Sequence, residues 1–444
     1  MTKQVHLAAH FPGVNNTTVW SDPAAGSHID FSSFTHFAQT AERGLFDFLF
    51  LAEGLRLREQ NGQIYDLDVV GRPDTFTILA AVTEHLGLAG TINSTFNEPV
   101  EVARQFATLD HLSDGRAAWN VVTSWDAFTG ENFRRGGYLA ADQRYVRARE
   151  FLETAVELWG SWENDDVIAD RSSGEFLRRP QAGRFARVDS QFDVSGTFPV
   201  PRSPQGRPVI FQAGDSDEGR EFAAARADAI FSRHSTLDEG RTFYTDVKRR
   251  LAAYGRSPDD LLILPAATFV VGDTDEDAAH LAHQIRLAQV SGQTAIKFLE
   301  QLWNRDLSNH DPDGPLPTVD PLPGENTIAK GRASVRIRED PRDVAARWRA
   351  LAESKNLSTR ELIIEVTGRQ AFVGSARTVA NELNRFVQHD ASDGFILVPH
   401  LTPGGLDRFV DEVIPELQDL GVYRTAYPGG TLRHNLGLAD VVAG

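Results

Sequence analysis

A chain of 444 residues with 45 basic and 62 acidic side chains, net charge −17, has the balance of a soluble globular protein and the wrong sign for polyanions, which excludes non-specific binding to nucleic acid or an anionic membrane. The absence of cysteine excludes disulfides, thiol nucleophiles and thiolate metal sites. No apolar run approaches the ~18 residues of a membrane span, and "MTKQVHLAAHF" enters an apolar run without signal-peptide features, so a cytoplasmic protein is expected.

The elements alternate along the chain. "VHLAAHF" from Val5 predicts a first strand, followed by an amphipathic helix over "FTHFAQTAERGLF". "FDFLFLAEG" from Phe46 predicts the second strand, closing on Glu53, with "FTILAAVTEHL" as its helix. "LGLAGTINST" from Leu86 and "AAWNVVTS" from Ala117 are the third and fourth strands, and "YVRAREFLETAVELW" from Tyr145 carries apolar residues at helical period. Ser161–Arg207 is polar and turn-rich, with "VDSQFDVSGTF" read as a small hairpin. "PVIFQAG" from Pro208, "DAIFSRH" from Asp228 and "LLILPAATFVVG" from Leu261 give strands five to seven. A long segment, Thr274–Glu365, with a Pro-rich loop between helical stretches, precedes strand eight, "GFILVPH" from Gly394. Eight near-continuous apolar strands interleaved with helices predict an α/β fold, a (β/α)8 barrel in one domain over 1–444, with insertions at about 161–207 and 274–365. Insertions in such barrels fall in the loops of the active-site face, so a lid is one expectation; a surface excursion or an oligomer contact is the other. An open doubly wound sheet is the alternative fold, but no Gly-x-Gly-x-x-Gly follows the first strand.

The polar ends of the strands point to function. Alternation puts Ala89, Thr91, Asn93 and Thr95 on one face of strand three, and Ala118, Asn120, Val122 and Ser124 on one face of strand four. Buried amides and hydroxyls cost free energy unless paired, and at the C-terminal mouth of a barrel they stand where catalysis occurs. Glu53 and His400 end strands at the same mouth. After strand five, Gly214 permits a tight turn and Asp215 or Ser216 caps the next helix, a setting for an anion or for a plain N-cap. The acidic first turn, Asp217 and Glu218, opposes a phosphate there.

The stretches "ATLDHLSDGRAAWNVVTS", "RYVRAREFLE", "PRSPQGRPVIFQAGDSDEGREFAA" and "VIPELQDLGVYR" resemble the bacterial luciferase-like flavin monooxygenases, in the branch holding the nitrilotriacetate, dibenzothiophene-sulfone and long-chain alkane enzymes. The resemblance spans nearly the whole chain. It implies a two-component enzyme that takes reduced FMN from a separate NAD(P)H:flavin reductase and uses O2 to oxygenate a small organic substrate. It also implies a homo-oligomer, dimer or tetramer. The family's flavin contacts map onto Glu53, Thr91, Asn120, Ser124, Tyr145, Gly214, Asp215 and Ser216, with Asn120 and Thr91 as the catalytic pair that holds oxygen. Departures are Ala141 where relatives carry a histidine, Glu53 where many carry Asp, and "WSDP" at Trp20–Pro23 for the family's "WRHP". His10, Phe96, Trp125, His234 and His400 are the candidates for lining a substrate pocket, and no metal site is expected. A deazaflavin-dependent oxidoreductase and a non-catalytic flavin-binding protein on the same fold remain the competing readings.

Overall fold

The computed structural model describes residues 2–13, 17–57, 59–60, 63–64, 80–124, 130, 132–133, 139–234, 236–324, 326–330, 339–368 and 371–441. Eight parallel strands form at the eight expected runs: β1 His6–His10, β2 Phe48–Leu51, β3 Gly87–Asn93, β4 Ala117–Val122, β5 Val209–Gln212, β6 Ala229–Ser232, β7 Leu262–Gly272 and β8 Gly394–Leu397. Their order is β6-β5-β4-β3-β2-β1-β8-β7, and β6 pairs with β7 to close the barrel.

Alternation sorts the side chains into two cores. Leu7, Leu49, Leu88, Trp119, Val121, Ile210, Ile230, Ile263, Phe395 and Leu397 point outward beneath the helices. Ala8, Phe48, Phe50, Ala89, Ala118, Phe211, Ala229, Leu264 and Ile396 fill the interior. The outer ring includes α1 Phe31–Arg43, α2 Pro99–Leu112, α3 Ala141–Gly160, α4 Asp217–Arg226 and α5 Leu237–Leu251. Of the helix expected over "FTILAAVTEHL", the first four residues lie outside the described residues; Ala80 is helical, and the chain from Ala81 to Leu86 is turn and bend, so the helix ends earlier than expected.

The two inserted segments part company. Ser161–Arg207 joins the end of α3 to the start of β5, so it sits at the base and not at the mouth. Its hairpin, Arg184–Val188 against Asp193–Thr197, packs on α3 through Phe192 against Phe151 and Arg187 to Glu153. The lid expectation therefore fails for this segment, because a helix-to-strand connection emerges at the strands' N-terminal end. Thr274–Glu365 follows β7 and rises on the mouth side. It builds α6 Asp275–Gln289, α7 Gly292–Trp303, α8 Pro341–Lys355 and α9 Thr359–Val366. The last three share a core around Leu299, Leu302, Trp303, Trp348 and Leu362. Gln289 Nε2 donates to the carbonyl of Thr17 after β1 at 2.6 Å, and Gln60 after β2 donates to the buried Glu300 of α7. Ala329–Lys330 also pairs with Glu59–Gln60. The insertion is thus sewn to two mouth loops.

Two features were not foreseen. Strand Ala371–Ser375 pairs with Thr268–Gly272, because β7 runs eleven residues and outgrows the wall, leaving an edge to cover. It leads into α10 Ala376–Gln388 and on to β8. At the other end, α11 Leu432–Asn435 and the residues after it send Leu432, Leu436 and Leu438 into the barrel interior. Leu432 N donates to Gly115 O, two residues before β4, at 2.9 Å, so this plug closes the N-terminal base.

Candidate active site

β3 and β4 run in a register that sets Thr91 opposite Asn120, both inward-facing. Asn120 Nδ2 donates to Thr91 Oγ1 at 3.0 Å, with the residues 1% and 4% exposed. Thr91 Oγ1 accepts that bond and keeps its own hydrogen to donate. Asn120 Oδ1 is buried with no partner among the described residues. A buried orphan oxygen costs about 1–3 kcal/mol, which marks a place meant for something else. From outside, Trp119 fixes the strand: its indole N–H donates to Ile92 O at 2.9 Å and its ring packs between Phe106 and Phe151.

Above this pair, Asn93 Nδ2 donates to Glu53 at 3.0 and 3.2 Å, while Asn93 Oδ1 accepts from Phe96 N at 2.7 Å. Arg147, absent from the sequence candidates, holds the same corner by donating to Ser94 O at 2.9 Å and Asn97 O at 2.8 Å. Its signal was only its place in "RYVRAR", two residues after Tyr145. The neighbouring Arg144 reaches Ser124 O at 3.5 Å.

A second grouping forms on the adjacent strand β5. Ser216 is the N-cap of α4, and its Oγ accepts from Gly219 N at 3.1 Å. Tyr145, in the first turns of α3, brings its hydroxyl to 3.4 Å from Ser216 Oγ across 71 residues of chain. Gly214 leaves open the space where a Cβ would stand 2.7 Å from Gln212 Nε2 and 3.4 Å from Tyr145 Oη. The carbonyl of Asp215 accepts from Arg220 Nε at 3.1 Å. Of the two acids in the first turn, Asp217 accepts from Arg250 at 2.5 Å.

The substrate candidates scatter. His10 faces inward with its ring 5.5 Å from Phe50, which stacks on Phe231 at 5.6 Å. Phe96 stacks on Phe133 at 4.9 Å. His400 offers its carbonyl to Val19 N at 2.8 Å, and burial pushes its imidazole pKa down. Trp125 lies outside the described residues. His234 is the correction: it packs against α5, its ring 6.0 Å from Phe243 and 3.0 Å from where Gly240 would carry a Cβ. It lies two residues past the end of β6, where the connecting loop carries it toward α5. Burial pushes its pKa down to about 4, keeping it neutral.

No group of three or more metal-ligating side chains occurs among the described residues. A cavity of about 600 Å³ lies at the opposite, base end, but its arginines are engaged: Arg207 and Arg433 by Asp228, Arg187 and Arg226 by Glu153.

This geometry defines the class: a (β/α)8 enzyme working at the C-terminal ends of its strands. Comparison with known proteins supplies the family. The model of the luciferase-like monooxygenases matches residues 11–392, and the chain belongs to that family; it is a flavin-dependent monooxygenase. It is 37% identical to N-acetyl-S-(2-succino)cysteine monooxygenase of Bacillus subtilis (strain 168), over 99% of this chain and 98% of that one. It is also 37% identical to nitrilotriacetate monooxygenase component A of Aminobacter aminovorans, over 95% and 93%. The crystal structure of DmoA from Hyphomicrobium sulfonivorans matches with a TM-score of 0.80 at 32% identity, covering 98% of this chain and 92% of that one. Among the described residues no helix is long and apolar enough to cross a membrane.

Proposed function

We propose that the chain is the oxygenating component of a two-component system that takes reduced FMN from a separate NAD(P)H:flavin reductase and transfers one atom of O2 to a small organic substrate. The observation that carries this reading is the presence of two groupings at the ends of neighbouring strands: the Thr91–Asn120 pair on β3 and β4, and the Tyr145–Ser216 hydroxyls around Gly214 after β5.

FMN fits the groups present. A glycine-built turn at a helix start, with two hydroxyls beside it, suits a phosphate. Ser216 accepts from Gly219 N and shares a hydroxyl contact with Tyr145, which leaves one of the two hydroxyl hydrogens to donate, and Arg250 lowers the repulsion from Asp217. Reduced FMN, when bound, supplies the electrons that activate O2. The Thr91 hydroxyl and the second Nδ2 hydrogen of Asn120 would stand as fixed donors toward oxygen, worth most in a site that excludes water, while the unpartnered Asn120 Oδ1 would accept an N–H. Glu53, held by Asn93, presents its carboxylate beside the same pocket. Gly214, Asp215, Ser216 and Tyr145 take the phosphate end; Ser124 joins the pocket at the end of β4. On the substrate side the inward aromatic floor of Phe50 and Phe231 with His10 favours an apolar or ring-containing molecule.

The test is reconstitution with a generic flavin reductase, NADH and O2 against sulfones, thioethers, alkanes, aminopolycarboxylates and cyclic imines. Product is expected only with reductase, flavin and O2 together. Stoichiometric oxidation of NAD(P)H by the purified protein with bound FMN and no reductase overturns the reading.

A further inference from the structure

The turn between β5 and α4 is packed more closely than a connection needs. A Cβ on Gly219 would stand 2.9 Å from both C and O of Gly214 and 3.0 Å from its Cα. Those are backbone atoms, which cannot swing aside as a flexible side chain does. A Cβ on Gly214 would in turn stand 3.2 Å from Gly219 Cα. Neither glycine has a positive φ, so backbone conformation does not demand glycine at either place. Space does. Glycine is also a poor helix former, yet Gly219 lies in the first turn of α4, where alanine would serve the helix better.

The contact has a consequence for the hydroxyls around it. Gly219 N donates to Ser216 Oγ, and Ser216 Oγ sits beside Tyr145 Oη. The glycine–glycine contact therefore sets how far the first turn of α4 descends onto the Gly214 peptide, and with it the spacing of Ser216 and Tyr145. Arg220 pins the turn from the other side: Nε donates to Asp215 O at 3.1 Å, Nη1 to Asp246 at 2.9 Å, and its guanidinium lies over the Phe243 ring.

We propose that Gly219 is a positioning residue that sets the chain's preference for a phosphorylated flavin without touching the flavin, by seating α4 directly on Gly214, with Arg220 as its second support. This rests on the FMN reading above. A methyl group at 219 forces the Gly214 peptide or the helix start to shift by several tenths of an ångström. The groups meant for the phosphate then no longer converge, while those for the ring system, on β3 and β4, stay in place.

The experiment titrates reduced FMN and reduced riboflavin anaerobically against the wild type, Gly219→Ala, Arg220→Ala and Ser216→Ala, with folding checked by circular dichroism and thermal melts. For Gly219→Ala, FMN affinity is expected to fall at least ten-fold and riboflavin affinity to change less than two-fold. For Arg220→Ala, FMN weakens about three-fold, again with riboflavin unmoved. Equal weakening of both flavins by Gly219→Ala, or unchanged FMN affinity, overturns the proposal. If Gly219→Ala does not fold, an unaltered FMN-to-riboflavin ratio in Arg220→Ala overturns it. A wild type that does not distinguish the two flavins, or a Ser216→Ala that keeps the distinction, instead places the fault in the phosphate reading itself.

Discussion

The two ends of the barrel differ in how their buried polar groups are held. At the base, the largest buried charges face partners of opposite sign, although Asp110 Oδ2, Arg424 Nη1 and Arg433 Nε are left without a hydrogen-bond partner among the described residues. Asp228 accepts from Arg207 at 2.7 and 3.1 Å and from Arg433 at 3.0 Å. Burial alone would push its carboxyl up, but the two arginines outweigh burial and hold it far below the usual range. Asp47 is likewise held down by Arg424 and His6 against the effect of burial. At the mouth, three neutral buried atoms, Asn120 Oδ1, Thr95 Oγ1 and His400 Nδ1, have no partner among the described residues. Charge paired with charge holds the barrel shut at one end. Neutral donors and acceptors with unused capacity are what a ligand-binding end keeps.

The contrast can be broken by exchanging its consequences. The largest expected effect is on stability, at the base. Asp228→Ala strands Arg207 and Arg433 in the interior, and losing one side of a buried ionic group costs about 3–5 kcal/mol. Denaturant unfolding should show that loss, with flavin affinity of the folded fraction unchanged. An unaltered midpoint would mean that the base network is not what closes the barrel.

Next comes the mouth. Asn120→Ala and Thr91→Val should leave the denaturation midpoint nearly in place and reduced-FMN affinity within a few-fold. Product formation should fall about ten- to a thousand-fold, the range for losing one positioned donor. Reduced flavin is still reoxidised, but with hydrogen peroxide released in place of product. The ratio of product to peroxide under saturating reduced FMN is the measurement, and a normal ratio in both variants makes the pair structural.

A third test uses pH at the base. Asp110 accepts from Ala117 N at 2.9 Å and Gln205 at 2.6 Å, yet burial pushes its carboxyl up to about 6. The folded value lies above the unfolded one, so the protonated form is favoured in the fold. Its contribution is present below about pH 4 and is lost as pH rises to about 6. At ~1.4 kcal/mol per unit, the loss is at most about 3 kcal/mol. Asp110→Asn should flatten this stretch of the stability–pH curve; an unchanged slope removes Asp110 as its source.

The smallest effect sharpens the mouth. Ser216→Ala removes one charge-assisted bond, about 1.5–3 kcal/mol, so FMN affinity falls about ten-fold or more while riboflavin affinity barely moves. Equal weakening of the two means the phosphate lies elsewhere.

Much of this was legible in the chain itself. Each strand is a short apolar run, and alternation alone assigned Thr91 and Asn120 to one face, as the register of β3 and β4 bears out. His234, expected among the pocket residues, packs instead against α5, because it lies past the end of β6, where the strand pattern no longer sets direction. Strand Ala371–Ser375 escaped because its partner is the overhang of β7, whose length past the wall no local pattern announces.

The sequence by itself determined the eight strands, the inward and outward faces and the Gly214–Ser216 turn, because periodicity and turn chemistry are properties of neighbouring residues. Only the tertiary structure decided which polar groups meet. Tyr145 reaches Ser216 across 71 residues, Glu53 finds Asn93, and Arg433 finds Asp228. Such pairings arise when the barrel closes and its last residues fold back into the base, and closure is a condition on all eight strands at once that no single stretch of chain carries.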